Sequence, residues 1–289
     1  MDLLTRCCFA FCLIGFAVGG LADPKPETAP LSVKWIHGFA DPDPAIQAYQ
    51  LDPDTFILRE NISLNYQAPF LYLIFGKGRV ALLDTGAENT NIARKFPLRS
   101  TVDHLIEQWS SSNHRPPPPL VVLHTGNDAD HRAGDEQFED RANTEISDSR
   151  PRKIEPIDLG ERILLAIPTP GHDAGGIAYY DPQSELLFTG DLIYPGRLTV
   201  QDWSAYRSSV ARLAKFADSH RLQRLLGSHI ELTSKGKEYP ETSSYHPDEH
   251  VLELEPAELH NLQEALKTLR KPPKEPVVLD SFHVMRIKR

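Results

Sequence analysis

The chain has 289 residues, of which 40% are hydrophobic and 25% charged, and its net charge is −9. This composition is typical of a globular protein and excludes a collagen-like fibre or a wholly disordered chain. An acidic chain without basic runs binds phosphate backbones poorly, so we expect no nucleic-acid partner.

The N-terminus has the pattern of an export signal. Arg6 precedes an apolar and small-residue run over 7–20, and Gly20-Leu21-Ala22 supplies the small residues of a cleavage site. The run is shorter than the ~20 residues that a membrane-spanning helix needs. We therefore expect residues 1–22 to be a signal peptide, which leaves a periplasmic or secreted protein with no stable membrane association.

The three cysteines, Cys7, Cys8 and Cys12, all lie in this segment. The mature chain would therefore have no disulfide, no thiolate metal ligand and no cysteine nucleophile. Any metal ion would have to be bound by His, Asp and Glu side chains.

Residues 23–54 are rich in proline and aspartate and are predicted to form an N-terminal arm that precedes one domain over 55–289. Apolar runs in that domain predict strands. In chain order they are 70–75, 79–83, 120–123, 163–167, 177–180, 186–188 and 224–226.

Apolar residues at helical spacing predict three helices. The first covers 102–109 with Thr101 as its cap, the second covers 203–216, and the third begins at Pro256 and reaches Leu269. Residues 277–287 are predicted to form a closing strand. Strand pairs separated by single helices favour a layered α/β sandwich.

Five apolar runs end in segments that contain His or Asp: 82–86, 123–131, 169–172, 188–191 and 226–229. Ligand groups of α/β proteins collect at such strand ends. The segments supply three imidazoles and three carboxylates, a donor set that suits zinc, iron or manganese better than calcium. These residues are His131, His172, His229, Asp128, Asp130 and Asp191.

Each segment alone is weak evidence, because a single His after Gly is more often a hydrogen-bonded surface residue than a ligand. The ordered set is specific, and from about Phe70 to His229 it resembles the metallo-β-lactamase-fold hydrolase superfamily. The resemblance implies a four-layer αββα sandwich with one or two metal ions, usually zinc, at one edge. It also implies that a metal-activated water hydrolyses a small molecule such as a lactam, lactone, thioester or phosphoester.

By this resemblance the second metal site is complete. Asp130 and His131 match the Asp-His of the family's His-x-His-x-Asp-His motif, Asp191 matches the carboxylate that bridges both metals, and His229 matches the last histidine. Asp130 would also be the catalytic residue, orienting the attacking hydroxide.

The first metal site departs from the pattern. His172 matches its third histidine, but Gly126 and Asp128 stand where the other two are expected. Asp128 is still a possible ligand, and its carboxylate favours Mg, Mn or Fe over zinc. His124 is a possible replacement, although a step of two residues moves the side chain by roughly 6–7 Å along a strand.

Other residues are expected to act near the site. Asp84, Gly126 and Gly134 would have structural roles, with Asp84 supporting the metal-binding loop. His246 and His250 are possible substrate contacts, and the alternative is that they belong to an exposed charged loop.

These patterns favour an exported metal-dependent hydrolase of a small ester, lactone or lactam, with one strong metal site and an altered first site. Zinc is the expected metal, and iron or manganese are alternatives. The changes at Gly126 and Asp128 also fit a catalytically decayed binding protein of the same fold. Redox chemistry at an iron centre is a third hypothesis, and the pattern indicates neither substrate nor oligomeric state.

Overall fold

A computed structural model describes residue 31 and residues 33–38, 43–87, 96–269 and 271–286. The predicted signal peptide lies outside these residues and stays a prediction. None of the helices in these ranges has the length and apolar character that crossing a membrane requires.

The first sheet has six strands that are neighbours in chain order. They are β1 (Ile46–Asp52), β2 (Thr55–Glu60), β3 (Phe70–Phe75), β4 (Val80–Leu83), β5 (Leu120–Leu123) and β6 (Thr144–Ile146). The first four strands pair antiparallel, whereas β4, β5 and β6 run parallel.

The second sheet also has six strands, ordered β13-β12-β10-β9-β8-β7. They are β7 (Glu155–Asp158), β8 (Ile163–Pro168), β9 (Ile177–Asp181), β10 (Leu186–Gly190), β12 (Arg224–Gly227) and β13 (Glu253–Leu254). A small third sheet joins β11 (Arg197–Val200), β15 (His283–Arg286) and β14 (Val277–Val278).

Four helices complete the described fold: α1 (Leu98–Ser112), α2 (Ala129–Arg132), α3 (Trp203–Ser219) and α4 (Pro256–Thr268). One apolar core lies between the two sheets, a second joins the first sheet to α1, and a third joins the second sheet to α3 and α4. This arrangement confirms the predicted αββα sandwich.

The continuous apolar runs follow from the burial of both sheet faces. In β3, Tyr72 and Ile74 belong to the core between the sheets, whereas Leu71 and Leu73 belong to the core beneath α1. Since successive strand residues point to opposite faces, a strand buried on both faces needs apolar residues throughout.

Three predicted boundaries differ from the structure. Strand β1 lies within the segment predicted to be an arm. The strand was not predicted because prolines on both sides obscure its alternating pattern. Helix α1 begins before Thr101, whose hydroxyl donates to the carbonyl of Pro97 inside the first turn (2.9 Å). The predicted closing strand is two strands, β14 and β15, separated by a turn in which the amide of Leu279 donates to the carbonyl of Phe282 (3.0 Å).

The two sheets place several loops at one edge of the sandwich. Strands β4 and β5 are parallel, as are β10 and β12, so each pair ends at the same edge. The segments containing Asp84, His131, Asp191 and His229 follow these four strands, and His172 lies in the connection between β8 and β9.

Candidate metal centre

Two histidines and two aspartates converge at this edge. Nε2 of His131 lies 3.4 Å from Oδ2 of Asp191 and 4.0 Å from Oδ1 of Asp130. Nε2 of His229 lies 3.1 Å from Oδ2 of Asp130 and 3.4 Å from Oδ1 of Asp191. All four residues are buried, and one ligand atom each from Asp130, His131 and Asp191 lies within 4.8 Å of the others.

The outer ring nitrogens of both histidines are held by acceptors. Nδ1 of His131 lies 3.0 Å from Oδ2 of Asp84, and Nδ1 of His229 lies 2.9 Å from the carbonyl oxygen of Gln67. A carboxylate and a carbonyl can only accept, so Nδ1 carries the proton in both rings. In a neutral ring, Nε2 then presents a lone pair to the carboxylates of the cluster.

This arrangement fits a divalent cation. A lone pair facing a carboxylate oxygen at 3.1–3.4 Å is repulsive unless a proton or a cation lies between them. Nε2 of His131 and Oδ1 of Asp191 are also buried and have no hydrogen-bond partner among the described residues. Two imidazole nitrogens and two carboxylates form a donor set suited to zinc, iron or manganese.

The charges of the cluster are strongly coupled. Burial by itself would lower the pKa of His131, but the carboxylates of Asp84 and Asp191 raise it well above its usual value. Burial would raise the pKa of Asp191, but His229 and His131 hold it well below its usual value. Both shifts show that the buried carboxylates favour a positive charge at this position.

His172 and Asp128 lie on the open side of the cluster. Nε2 of His172 is 3.3 Å from Oδ2 of Asp191 and 3.4 Å from Oδ2 of Asp128. Its Nδ1 donates to the carbonyl of Thr199 (2.9 Å). The side chain of Asp128 is 46% exposed and that of His172 is 13% exposed, so both are accessible from the cavity.

Gly126 leaves space that neighbouring groups use. A Cβ atom at this position would lie 2.7 Å from Cδ2 of His131 and 2.9 Å from Oδ2 of Asp173. Asp173 also accepts from the backbone amide of Asn127 (3.2 Å). The position therefore offers no side-chain ligand and has no room for one unless His131 or Asp173 moves.

The residues expected to have structural roles lie beside the cluster. Asp84 has a positive φ of 65° and accepts from the amide (2.7 Å) and hydroxyl (2.6 Å) of Thr125. A Cβ on Gly134 would collide with the carbonyl oxygen of Thr85. Nε2 of His124 lies 2.8 Å from Oδ1 of Asp135, and His124 does not line the cavity that opens onto the cluster, so its role as a replacement ligand stays a prediction.

A cavity of about 410 Å³ opens onto the cluster, and its wall includes Tyr66, Arg197 and Glu241. The structure places His246 and His250 elsewhere, along a separate cavity of about 320 Å³. His246 stacks on Tyr239, with ring centroids 3.9 Å apart.

Gln67 was not recognised from the sequence. Its amide Nε2 donates to Oδ2 of Asp130 (2.8 Å), and its carbonyl accepts from His229. The only local signal is the turn-forming composition of residues 65–69 between two strands, which does not show what the turn contacts.

Comparisons with known proteins identify the family and support the fold. A model of the metallo-beta-lactamase superfamily matches residues 115–279, which is more than half of the chain. A metallo-beta-lactamase structure from Pontibacter korlensis has 15% sequence identity and a TM-score of 0.51, covering 78% of this chain and 100% of that chain. The similarity to the Pontibacter korlensis structure shows the fold.

Two curated relatives match over shorter regions. The acyl-coenzyme A thioesterase MBLAC2 of Gallus gallus is 30% identical over 95 residues, 31% of this chain and 34% of that protein. The hydroxyacylglutathione hydrolase of Bartonella tribocorum is 37% identical over 67 residues, 22% of this chain and 26% of that protein. The chain therefore spans about a third or less of these relatives' lengths. On the family match and the fold together, this chain belongs to the metallo-beta-lactamase superfamily.

Proposed function

We propose that the protein is a metal-dependent hydrolase with one metal ion bound by Asp130, His131, Asp191 and His229. The observation that carries the proposal is the direction of the histidine rings. Nδ1 of His131 and of His229 is hydrogen-bonded outside the cluster, which leaves both Nε2 atoms facing buried carboxylates. Zinc is the metal we expect, with iron or manganese as alternatives.

A divalent metal at this position would supply hydroxide at neutral pH by lowering the pKa of a bound water. We assign to Asp130 the orientation of that water and the acceptance of its proton. Nε2 of His172 and Oδ2 of Asp128 lie 3.4 Å apart on the cavity side of the cluster, where the two side chains would position substrate or water. The nearly complete burial of His131 keeps its ring fixed while the substrate enters from the cavity.

We propose a small ester, lactone, lactam or thioester as the substrate. The cavity volume of about 410 Å³ suits a small molecule. The names of two relatives, an acyl-coenzyme A thioesterase and a hydroxyacylglutathione hydrolase, support including thioesters among the first compounds to assay. The net charge of −9 supports the absence of a nucleic-acid partner.

The test combines metal analysis with turnover. Purified protein should contain about one equivalent of metal and hydrolyse at least one ester, thioester, lactone or β-lactam, and chelation should abolish turnover. His229→Ala should lose both metal and activity. His250→Ala is the matched control, because His250 lines the separate cavity. A protein that binds no metal and turns over none of these compounds would contradict the proposal.

A second candidate is a catalytically inactive binding protein of the same fold. It is favoured by Gly126, where the space for a first-site ligand is taken by His131 and Asp173. This candidate predicts bound metal and ligand-induced thermal stabilisation without turnover of the same compounds. Measurable turnover that chelation abolishes would exclude it.

We also propose export by cleavage after Ala22, which rests on the composition of residues 1–22. Expression of the full chain in a host with a secretion pathway, followed by N-terminal sequencing of the exported product, tests this. A mature N-terminus at Asp23 is expected, and retention of the uncleaved chain in the cytoplasm would contradict export.

A further inference from the structure

We propose that Gln67 is a positioning residue that holds two of the proposed metal ligands, Asp130 and His229, at the same time. This inference rests on the proposed metal centre, and it assigns a role to a residue that is not itself a ligand. Gln67 lies between β2 and β3, far in sequence from both residues it contacts. Its side chain reaches Asp130, and its backbone carbonyl reaches His229.

The backbone around Gln67 is held by several hydrogen bonds. Its own amide donates to Oδ1 of Asn65 (2.9 Å), and the amide of Ala68 donates to the carbonyl of Asn65 (3.1 Å). Three residues later, the amide of Phe70 donates to the carbonyl of Ser228 (2.8 Å), directly before His229. The turn is thus attached to the same strand end that carries His229.

The two carboxylate oxygens of Asp130 have different neighbours. Nε2 of Gln67 donates to Oδ2 at 2.8 Å, whereas Oδ1 faces Nε2 of His131 at 4.0 Å. When His229 Nε2 binds a cation, it cannot also donate to Oδ2, and the amide of Gln67 remains as a donor to that oxygen. The amide therefore restrains rotation of the Asp130 carboxylate beside the proposed metal.

The carbonyl of Gln67 sets the state of His229. Because a carbonyl only accepts, the 2.9 Å contact places a proton on Nδ1 of His229 and leaves Nε2 as the metal-binding atom. This contact belongs to the backbone, so it persists when the side chain is replaced. Substitution of the side chain therefore tests the contact with Asp130 separately.

Outer contacts of this kind change metal affinity by about 10–100-fold when they are removed. Gln67→Met keeps the length of the side chain and removes the donor. We expect the dissociation constant of the bound metal, measured by competition with a chromophoric chelator, to rise about 10-fold or more. The visible spectrum of the cobalt-substituted protein should change as well, because the geometry of the Asp130 oxygen around the ion changes.

Gln201→Met is the matched control, since Gln201 lines the same cavity with an exposed side chain outside the ligand set. We expect the control to keep wild-type metal affinity and cobalt spectrum. The metal-free Gln67→Met protein should unfold at nearly the wild-type temperature, which separates loss of positioning from loss of folding. Gln67→Ala should weaken metal binding to a similar degree.

The inference would be overturned if Gln67→Met had the metal affinity and the cobalt spectrum of the wild type. A fall in affinity that Gln201→Met shares would overturn it as well. If the wild-type protein itself binds no metal, the proposed function fails instead, and the two failures are distinguishable because only the comparison of variants concerns Gln67.

Discussion

Oδ2 of Asp84 lies 3.0 Å from Nδ1 of His131, and both residues are buried. Asp84 also accepts two hydrogen bonds from Thr125, at the end of the neighbouring strand. The residue thus connects the ends of β4 and β5 and fixes the ring of a proposed ligand. A carboxylate–histidine pair of this kind keeps the ring in the orientation and protonation state that a metal requires.

Asp84→Asn should weaken metal binding by about 10–100-fold, because the amide is a poorer acceptor for Nδ1 of His131. Asparagine tolerates the positive φ of this position, so the backbone should be preserved. Asp135→Asn is the matched control, since Asp135 contacts His124 outside the cluster. Chelator competition measures both variants, and equal affinities would show that Asp84 does not act through His131.

Gly126→Ala should destabilise the protein by about 1–3 kcal/mol and weaken metal binding, because the added methyl group presses on the ring of His131. Asp128→His should fold normally, since the side chain it replaces is 46% exposed. Chemical unfolding and metal titration check both variants. A Gly126→Ala protein with unchanged stability and affinity would show that His131 has freedom to move.

The stability of the metal-free protein should fall as pH rises from about 6.5 to 9. Burial would lower the pKa of His172, but Asp191 and Asp128 raise it to about 9. Its proton therefore stabilises the fold below its unfolded pKa of about 6.5, and this contribution is lost as pH rises through 9. The stability lost is on the order of 3 kcal/mol.

Metal should counteract this loss, because it binds neutral imidazole and displaces the protons of His131 and His229. The increase in melting temperature on adding zinc should accordingly be larger at pH 8.5 than at pH 6.5. Differential scanning fluorimetry with and without metal at both pH values measures it. An increase that is the same at both values would contradict the proposed coupling.

Glu60→Gln should remove part of the pH dependence of stability. Burial raises the pKa of Glu60 to about 8, and the charge of Asp130 adds to the effect. Because the folded state holds this proton more tightly, the contribution is fully present below about pH 4.5 and is lost as pH rises to about 8. The lost stability is on the order of 5 kcal/mol.

Urea unfolding of metal-free wild type and Glu60→Gln at pH 5 and pH 8 tests this. The free energy of unfolding of the variant should be less sensitive to pH over that range. Glu241→Gln is the matched control, because Glu241 is exposed. A difference between wild type and Glu60→Gln that does not change with pH would show that Glu60 titrates normally.

Local sequence patterns predicted most of the fold. The apolar runs of β3, β5 and β10 and the helical spacing in α3 and α4 show directly in the sequence because burial selects apolar residues at regular intervals. The predicted boundaries of the elements were less accurate. Helix α1 begins at Leu98 and not after Thr101, because the start of a helix depends on a few weak contacts. The strand β13, of two residues, carries too little periodicity to be recognised. The predicted closing strand over 277–287 included β14 but did not show the turn that separates it from β15.

The order of Asp130, His131, Asp191 and His229 along strand ends, together with the glycine at position 126, was readable from the sequence by itself. Whether those side chains meet depended on how the two sheets pack, because that packing brings segments from separate strands to one edge. Only the folded chain showed that Gln67 bears on Asp130 and His229, and that His246 faces a different cavity. The local sequence pattern indicates which residues are buried and which form turns. Contacts between distant loops depend instead on the three-dimensional path of the backbone.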